Sequence, residues 1–138
     1  MKNLNLYVVP PHHTQQFWHL AEPHLARAIA KGNGEFIPEQ LKLLVSQGQQ
    51  TLLLVMDDDK KCHCALTVQW TNFPNDRVCY INYIGGHNTK GGWEQFKTWV
   101  RNNGGTSIQG STAYDSIVKL WNRLYGFNKK YTLMELKL

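Results

Sequence analysis

Four glycines form two pairs on either side of a short polar stretch, at Gly85, Gly86, Gly91 and Gly92. An apolar, β-rich run precedes the first pair, and an amphipathic segment beginning at Trp93 follows the second. Because glycine has no Cβ, the backbone at such a strand-to-helix junction can approach a ligand closely. The helix N-terminus behind it offers unpaired N–H groups with partial positive charge. This arrangement suits a pyrophosphate and favours a nucleotide or coenzyme site. A tight connection without a ligand is the alternative.

Other residue types with chemical potential are sparse. Cys62, His63 and Cys64 could ligate zinc, but strand alternation places His63 opposite both cysteines, and no second ligand pair follows. The three aspartates at 57–59 lack the spaced ligands of a calcium loop, which favours a solvated turn. We therefore expect no metal. An imidazole can accept a proton near neutral pH, so His87 is a candidate base for an amine, with an ordinary loop histidine as the alternative.

Composition indicates one globular domain over residues 1–138, because 42% of the residues are hydrophobic and 18% are charged. The net charge of +5 comes from scattered residues, which fits an anionic cofactor or partner better than nucleic acid. Three cysteines, an odd number, indicate reduced thiols in a cytoplasmic protein. No signal peptide or membrane span is expected, because no apolar run approaches the roughly 20 residues that cross a bilayer.

Hydrophobic periodicity predicts the element order β-α-α-β-β-β-α-β-α-β. The predicted strands cover residues 4–9, 52–56, 62–70, 77–84, 106–109 and 131–138. The predicted helices begin near His13, Pro38, Trp93 and Asp115, and Pro23 is expected to divide or kink the first. Together these elements predict a mixed α/β fold, in which a mostly antiparallel sheet has helices on both faces. Trp18 and Trp99 lie beside the apolar stripes of their helices and would mark a protein-contact surface if both were exposed.

Over nearly its whole length this order resembles the GNAT superfamily of acyl-CoA-dependent N-acyltransferases. The run from Ile117 to Phe127 is similar to the family's last helix, which closes in a Gly-Phe pair before a terminal strand. The sequence Ile84-Gly85-Gly86, the following Trp93 and the Gly-Phe ending also resemble small GNAT-like proteins encoded by bacteriophages. Some relatives of that kind are virion or assembly proteins.

The resemblance implies that the strand over residues 79–85 pairs with the pantetheine arm of acetyl-CoA and that the loop over residues 86–92 holds its pyrophosphate. The implied coenzyme contacts are Ile84, Gly85, Gly86, Lys90, Gly91, Gly92 and Asn122. The implied catalytic residues are His87 and Tyr125. Two departures from the family pattern weaken the enzymatic interpretation. No alignment of the loop residues with the family motif reproduces the usual glycine spacing. Asn122 stands where a proton-donating Tyr is common.

Two hypotheses follow. In the first, the chain transfers an acetyl group from acetyl-CoA to a primary amine, without a metal. In the second, the same fold is catalytically inactive and serves as a binding or assembly protein of a bacteriophage, in the virion or the host cytoplasm, with a protein partner. Neither hypothesis involves a membrane or nucleic acid.

Overall fold

The computed structural model describes residues 3–87 and 89–138. Five strands in these residues form one sheet in the order β1-β2-β3-β4-β5. They are β1 Leu4–Val9, β2 Thr51–Asp57, β3 Cys62–Phe73, β4 Asp76–Gly86 and β5 Ser107–Gly110. Strands β1 to β4 pair antiparallel, and β5 pairs parallel with β4. The described α-helices are α1 Thr14–Ala30, α2 Pro38–Ser46, α3 Trp93–Asn102 and α4 Asp115–Tyr125. The expected mixed, mostly antiparallel α/β architecture is confirmed.

The sheet separates two hydrophobic cores. Helices α1 and α2 bury residues such as Leu25 and Leu41 against one face, together with Leu54 of β2. On the other face, α3 buries Phe96 against residues that include Leu53 of β2. Because neighbouring residues of β2 point into different cores, this strand is apolar at every position from 52 to 56. No helix in the described residues is long and apolar enough to cross a membrane.

Helix α1 is continuous through Pro23, so the expected division into two pieces is wrong, and the alternative, a kink at Pro23, stays a prediction. An interior proline costs about 3 kcal/mol because it removes a backbone hydrogen bond. Burial of Trp18, Leu25 and Ile29 along one face offsets that loss. Trp18 is buried and Trp99 is only partly exposed, so the condition for a contact surface, exposure of both tryptophans, is not met.

A β-bulge at His63 changes the face of the sheet on which the neighbouring side chains of β3 lie. Val55 pairs with Cys64 and Met56 pairs with Cys62, which leaves His63 as an extra residue. Cys62 therefore belongs to the α1 core, whereas Cys64 lines a small apolar void on the α3 side. The prediction that strict alternation places both cysteines on one face is wrong, because the extra residue shifts the alternation.

The aspartate turn is only partly solvated. Asp58 and Asp59 are exposed, but Asp57 is buried. Its carboxylate accepts hydrogen bonds from the backbone N–H groups of Asp59 and Lys61, at 2.9 Å and 3.1 Å. It also pairs with His63 Nε2 at 2.8 Å. The prediction of a fully solvated turn is therefore wrong for its first residue, which organises the turn.

The strand predicted over residues 131–138 does not form, and these residues carry no regular structure. Their side chains are largely exposed, including Tyr131 and Leu133. The pattern of the segment is that of a strand, but a strand needs a neighbour that accepts its hydrogen bonds. In the described residues, the sheet ends at β5.

The packing predicts very different effects of one substitution at two sites. Leu25→Ala should destabilise the fold by about 2–5 kcal/mol, because Leu25 is fully buried between α1 and the sheet. Leu124→Ala on α4 is the matched control and should cost well under 1 kcal/mol, since its side chain is 37% exposed. Urea denaturation measures both free energies of unfolding. Equal losses would show that α4 belongs to the main core.

Candidate functional site

Strands β4 and β5 separate halfway along β4. Their pairing runs from Val78 opposite Ser107 to Ile81 opposite Gly110, and β4 continues beyond it to Gly86. A second β-bulge lies at this point, because Thr67 pairs with Tyr83 and Val68 with Ile81, which leaves Asn82 as the extra residue. Along residues 82–86, β4 thus keeps β3 on one side and diverges from β5 on the other. A strand edge of this kind offers backbone donors and acceptors to a ligand.

Helix α1 lies unusually close to the end of β4. A Cβ on Gly85 would overlap the carbonyl oxygen of His24. A Cβ on Gly86 would lie 2.8 Å from Cys64 Cα, and Gly86 has a φ of 119°, in the region that favours glycine. Close packing therefore explains both glycines without a ligand, and their predicted coenzyme contacts stay predictions.

An open cavity of about 270 Å³ lies between α1 and the end of β4. Its lining residues are Arg27, Ala28, Lys31, Ile84, Gly85, Gly86 and His87. Arg27 and Lys31 are one helical turn apart and thus share a face of α1. The cavity therefore combines two cationic side chains with the three predicted coenzyme residues at the end of β4, which are residues 84–86.

Arg27 is held in place by His24. The ring Nε2 of His24 lies 3.0 Å from the carbonyl oxygen of Cys62, and a guanidinium nitrogen of Arg27 lies 2.8 Å from its Nδ1. A carbonyl only accepts and a guanidinium only donates, so a neutral His24 with its proton on Nε2 satisfies both contacts. Arg27 and Lys31 were not predicted from the sequence because they precede the glycine pair by more than fifty residues. Their four-residue spacing on a predicted helix was the available signal.

The predicted base His87 lines the same cavity and is exposed. Its backbone N–H donates to the carbonyl oxygen of His63 at 2.7 Å, which fixes the chain at the exit from β4. Asn88, the next residue of the predicted phosphate loop, lies outside the described residues. His87 lies five residues beyond the bulge at Asn82, which corresponds to roughly 16 Å along an extended strand. It is therefore distant from the point where β4 and β5 diverge.

The second glycine pair lies against side chains of β1 and β2, with Gly91 exposed and Gly92 buried. A 3₁₀ helix over Thr89–Gly92 leads into α3, and a Cβ on Gly91 would overlap Leu4 of β1. A Cβ on Gly92 would lie 2.8 Å from Val55 of β2. Lys90 between them is exposed, and it is not among the residues that line the cavity. Its predicted phosphate contact is therefore not supported by proximity to Arg27 and Lys31, and it stays a prediction.

The two predicted residues of α4 are placed apart from the cavity. Tyr125 packs its ring on Trp93 with centroids 4.6 Å apart, on the α3 side of the sheet. The side-chain amide of Asn122 donates to the carbonyl oxygen of Phe127 at 2.7 Å and so closes the end of α4. In the described structure, Asn122 is a helix-end residue, and Tyr125 belongs to an aromatic cluster with Trp93, Trp121 and Phe127.

Further acid–base groups, not predicted from the sequence, lie beside the bulge at Asn82. The ring of Tyr83 meets that of Phe36 edge-to-face at 5.9 Å, under the segment that joins α1 and α2. Burial raises the pKa of the Tyr83 phenol, and the nearby charge of Glu35 and then Tyr80 raise it further. The Tyr80 hydroxyl lies 2.5 Å from Ser111 Oγ, where β5 leaves β4. Two phenols and one carboxylate thus lie on the α1–α2 side of the divergence.

The cysteines are not candidates for chemistry. All three are buried and free, and burial raises the pKa to about 11 for Cys62 and to about 12 for Cys64 and Cys79. At neutral pH they stay thiols, which are poor nucleophiles and poor metal ligands. No group of three His, Cys, Asp or Glu side chains in the described part of the chain is placed to hold a metal ion.

No protein-family model matches the sequence, and no curated protein matches it. Solved structures do match its fold. An aminoglycoside acetyltransferase from an uncultured soil metagenomic sample, in complex with sisomicin, is 13% identical with a TM-score of 0.69, over 98% of this chain and 96% of that chain. A ribosomal-protein-alanine N-acetyltransferase from Brucella melitensis biovar Abortus 2308 is 10% identical with a TM-score of 0.69, over 98% and 99%.

The aminoglycoside N-acetyltransferase AAC(6')-Iy, solved in complex with CoA, is 10% identical with a TM-score of 0.65, over 99% of this chain and 96% of that chain. These similarities over almost the whole length confirm that the chain has the GNAT acetyltransferase fold. At such low identity they concern the fold alone. The expected likeness to small bacteriophage proteins is not supported by these structures.

The close approach of α1 to β4 predicts a sharp difference between two glycines. Gly85→Ala should cost about 1–3 kcal/mol of stability, because the added methyl group meets the His24 carbonyl. Gly110→Ala is the control in β5, where the nearest atoms would be 3.8 Å and 3.9 Å away, and it should be nearly neutral. Chemical denaturation of both variants measures the difference. A neutral Gly85→Ala would contradict the described contact.

Proposed function

We propose that the chain is an N-acyltransferase that uses acetyl-CoA and a primary amine. The observation that carries the proposal is the divergence of β4 from β5 at the Asn82 bulge, directly beside a cavity that contains Arg27 and Lys31. The fold shared with N-acetyltransferases supports the same reaction class.

The residues of the site fit the chemistry of this coenzyme. Backbone groups along residues 82–86 suit the amides of an extended pantetheine arm. Arg27 and Lys31 suit a diphosphate, since both are permanent donors at neutral pH and Arg27 can bind two oxygens at once. Within the strand segment, Ile84, Gly85 and Gly86 also line the cavity and so would contact the coenzyme next to its diphosphate. When bound, the coenzyme supplies an acetyl group activated as a thioester.

The chain contributes position, polarisation and a base. Holding the amine against the acyl carbon in the gap between β4 and β5 supplies proximity. Backbone N–H groups at the bulge would stabilise negative charge on the acyl oxygen. The ammonium form of the acceptor must lose one proton before its nitrogen can attack. We assign this proton to the Glu35 carboxylate, directly or through water, because Glu35 lies on the α1–α2 side near Tyr83. His87, farther along β4, would serve the phosphate end.

The inactive binding protein is the second candidate. It is favoured by Asn122, whose amide is bonded to Phe127 and cannot act as a general acid. The loss of an acid is a modest obstacle, however. Thiols have a pKa of about 8.5, so a thiolate can leave near neutral pH without full protonation. Transferase activity is therefore compatible with asparagine at this position.

Coenzyme binding is tested by thermal shift with CoA. At about 100 times its dissociation constant, CoA should stabilise the native chain by roughly 2.7 kcal/mol. Lys31→Gln should weaken binding about tenfold, because it removes one cation from the cavity. Lys90→Gln, which removes the same charge from an exposed position outside the cavity, should leave binding unchanged. A loss with Lys90→Gln and none with Lys31→Gln would move the phosphate site to the loop.

The assigned base is tested by steady-state kinetics of acetyl transfer to a panel of amines. Glu35→Gln should lower kcat/KM by about 10²–10⁴, because it removes the group that accepts the proton. The CoA-induced thermal shift should not change. Glu39→Gln, an exposed carboxylate in the first turn of α2, is the control. A native chain that binds CoA but acetylates no amine would instead support the inactive binding protein.

A further inference from the structure

Two phenol rings flank the gap between β4 and β5 on the α1–α2 side of the sheet. Cys79 and Ile81 belong to the core on the α3 side, so Tyr80 between them points to the opposite face. Tyr83, which follows the bulge, packs against the core on the α1 side. Neither ring is fully buried. Both phenols therefore keep part of their surface accessible to a substrate that enters the gap.

The segment that joins α1 and α2 extends this aromatic surface. The ring of Phe36 meets that of Tyr83 edge-to-face, and Phe36 is itself partly exposed. Ile37, the next residue, is 54% exposed. Apolar side chains beside a site contribute most of the contact area for a small ligand, while a few polar groups orient it. Phe36 and Ile37 thus provide a surface for an apolar part of the acceptor.

One carboxylate lies beside these rings. A Cβ on Gly32 would lie 3.6 Å from Cε1 of Tyr83 and 3.9 Å from Oε2 of Glu35, so the ring and the carboxylate approach the same point. Burial, and then the charge of Glu35, raises the pKa of the Tyr83 phenol. A carboxylate and the face of an aromatic ring both attract a cation. This corner of the gap therefore suits one ammonium group.

A second positive charge on the acceptor meets cations instead of carboxylates. The adjoining cavity is lined by Arg27 and Lys31. Glu35 is the single acidic residue in the sequence from 31 to 37. The acidic residue of β4, Asp76, lies at the start of that strand, where it accepts hydrogen bonds from Ser107. The charges beside the gap thus favour an acceptor with a single ammonium group.

We propose that the acceptor is a monoamine with an apolar body and that polyamines are poor substrates. This inference rests on the proposed function and specifies its substrate class. The ammonium group lies between Tyr83 and Glu35, and the apolar body lies along Phe36 and Ile37. On transfer, the amine nitrogen forms a bond to the acyl carbon as the carbon–sulfur bond breaks. One ammonium proton passes to Glu35, and a second leaves to water or to the departing sulfur.

Steady-state acetyl transfer to matched amines tests the substrate class. Hexylamine and hexamethylenediamine share one carbon chain and differ by a single amino group. Hexylamine should have the higher kcat/KM by about tenfold, because the second ammonium group has no carboxylate partner. Hexylamine should also exceed ethylamine by about tenfold, since only the longer chain reaches Phe36. Phe36→Ala should remove most of the difference between hexylamine and ethylamine.

A charge variant tests the electrostatic part of the preference. Asn33→Asp adds a second carboxylate at an exposed position two residues from Glu35. It should raise kcat/KM for hexamethylenediamine about fivefold and change that for hexylamine less than about twofold. Gln16→Glu is the control, because it adds the same charge at an exposed position in the first turn of α1. At 1.5 Å per residue, Gln16 is roughly 22 Å along the helix from Lys31.

The possible outcomes separate this inference from the proposed function. A native chain that acetylates hexamethylenediamine as well as or better than hexylamine would overturn the monoamine class and leave the transferase in place. A chain that is stabilised by CoA but acetylates none of these amines would overturn both. A preference for hexylamine that Asn33→Asp reduces and Gln16→Glu does not would support the assigned acceptor.

Discussion

The contact between α1 and the end of β4 is the constraint on which the site depends. Because Gly85 has no side chain, the His24 carbonyl can lie against the strand. This approach places the His24 ring between the Cys62 carbonyl and the Arg27 guanidinium. Arg27 and Lys31 thereby face the carboxyl end of β4. Because Gly85 has no Cβ, α1 can place the positive charges of Arg27 and Lys31 next to the end of β4.

Two β-bulges shape the part of the sheet that borders the candidate site. The bulge at Asn82 coincides with the end of the β4–β5 pairing and so opens an edge in the middle of a continuous sheet. At the other bulge, the carbonyl oxygen of His63 accepts a hydrogen bond from the backbone N–H of His87. This bond holds the residue that follows β4 against β3. Each extra residue interrupts the regular ladder beside the candidate site.

The features that could be predicted from the sequence are those that depend on residues close together in the chain. Periodicity predicted the four described α-helices and the first five strands, because the apolar stripes of α1 and α3 depend on neighbouring residues alone. The bulges were not predictable, since a register shift at His63 depends on how β2 and β3 pair. Arg27 and Lys31 were missed for the same reason, because only the tertiary fold brings α1 to Gly85. The segment over residues 131–138 has the pattern of a strand, yet pattern alone does not supply a pairing partner.

The buried Asp57 has a practical consequence for handling this protein. Its carboxylate fixes the backbone at Asp59 and Lys61 and the ring of His63, whose carbonyl in turn holds His87 at the cavity. A fluorophore or epitope inserted between β2 and β3 would therefore disturb the end of the molecule that carries the candidate site. The hairpin between β3 and β4, with Pro74 and Asn75 exposed at the opposite end of the sheet, is the better place for a reporter.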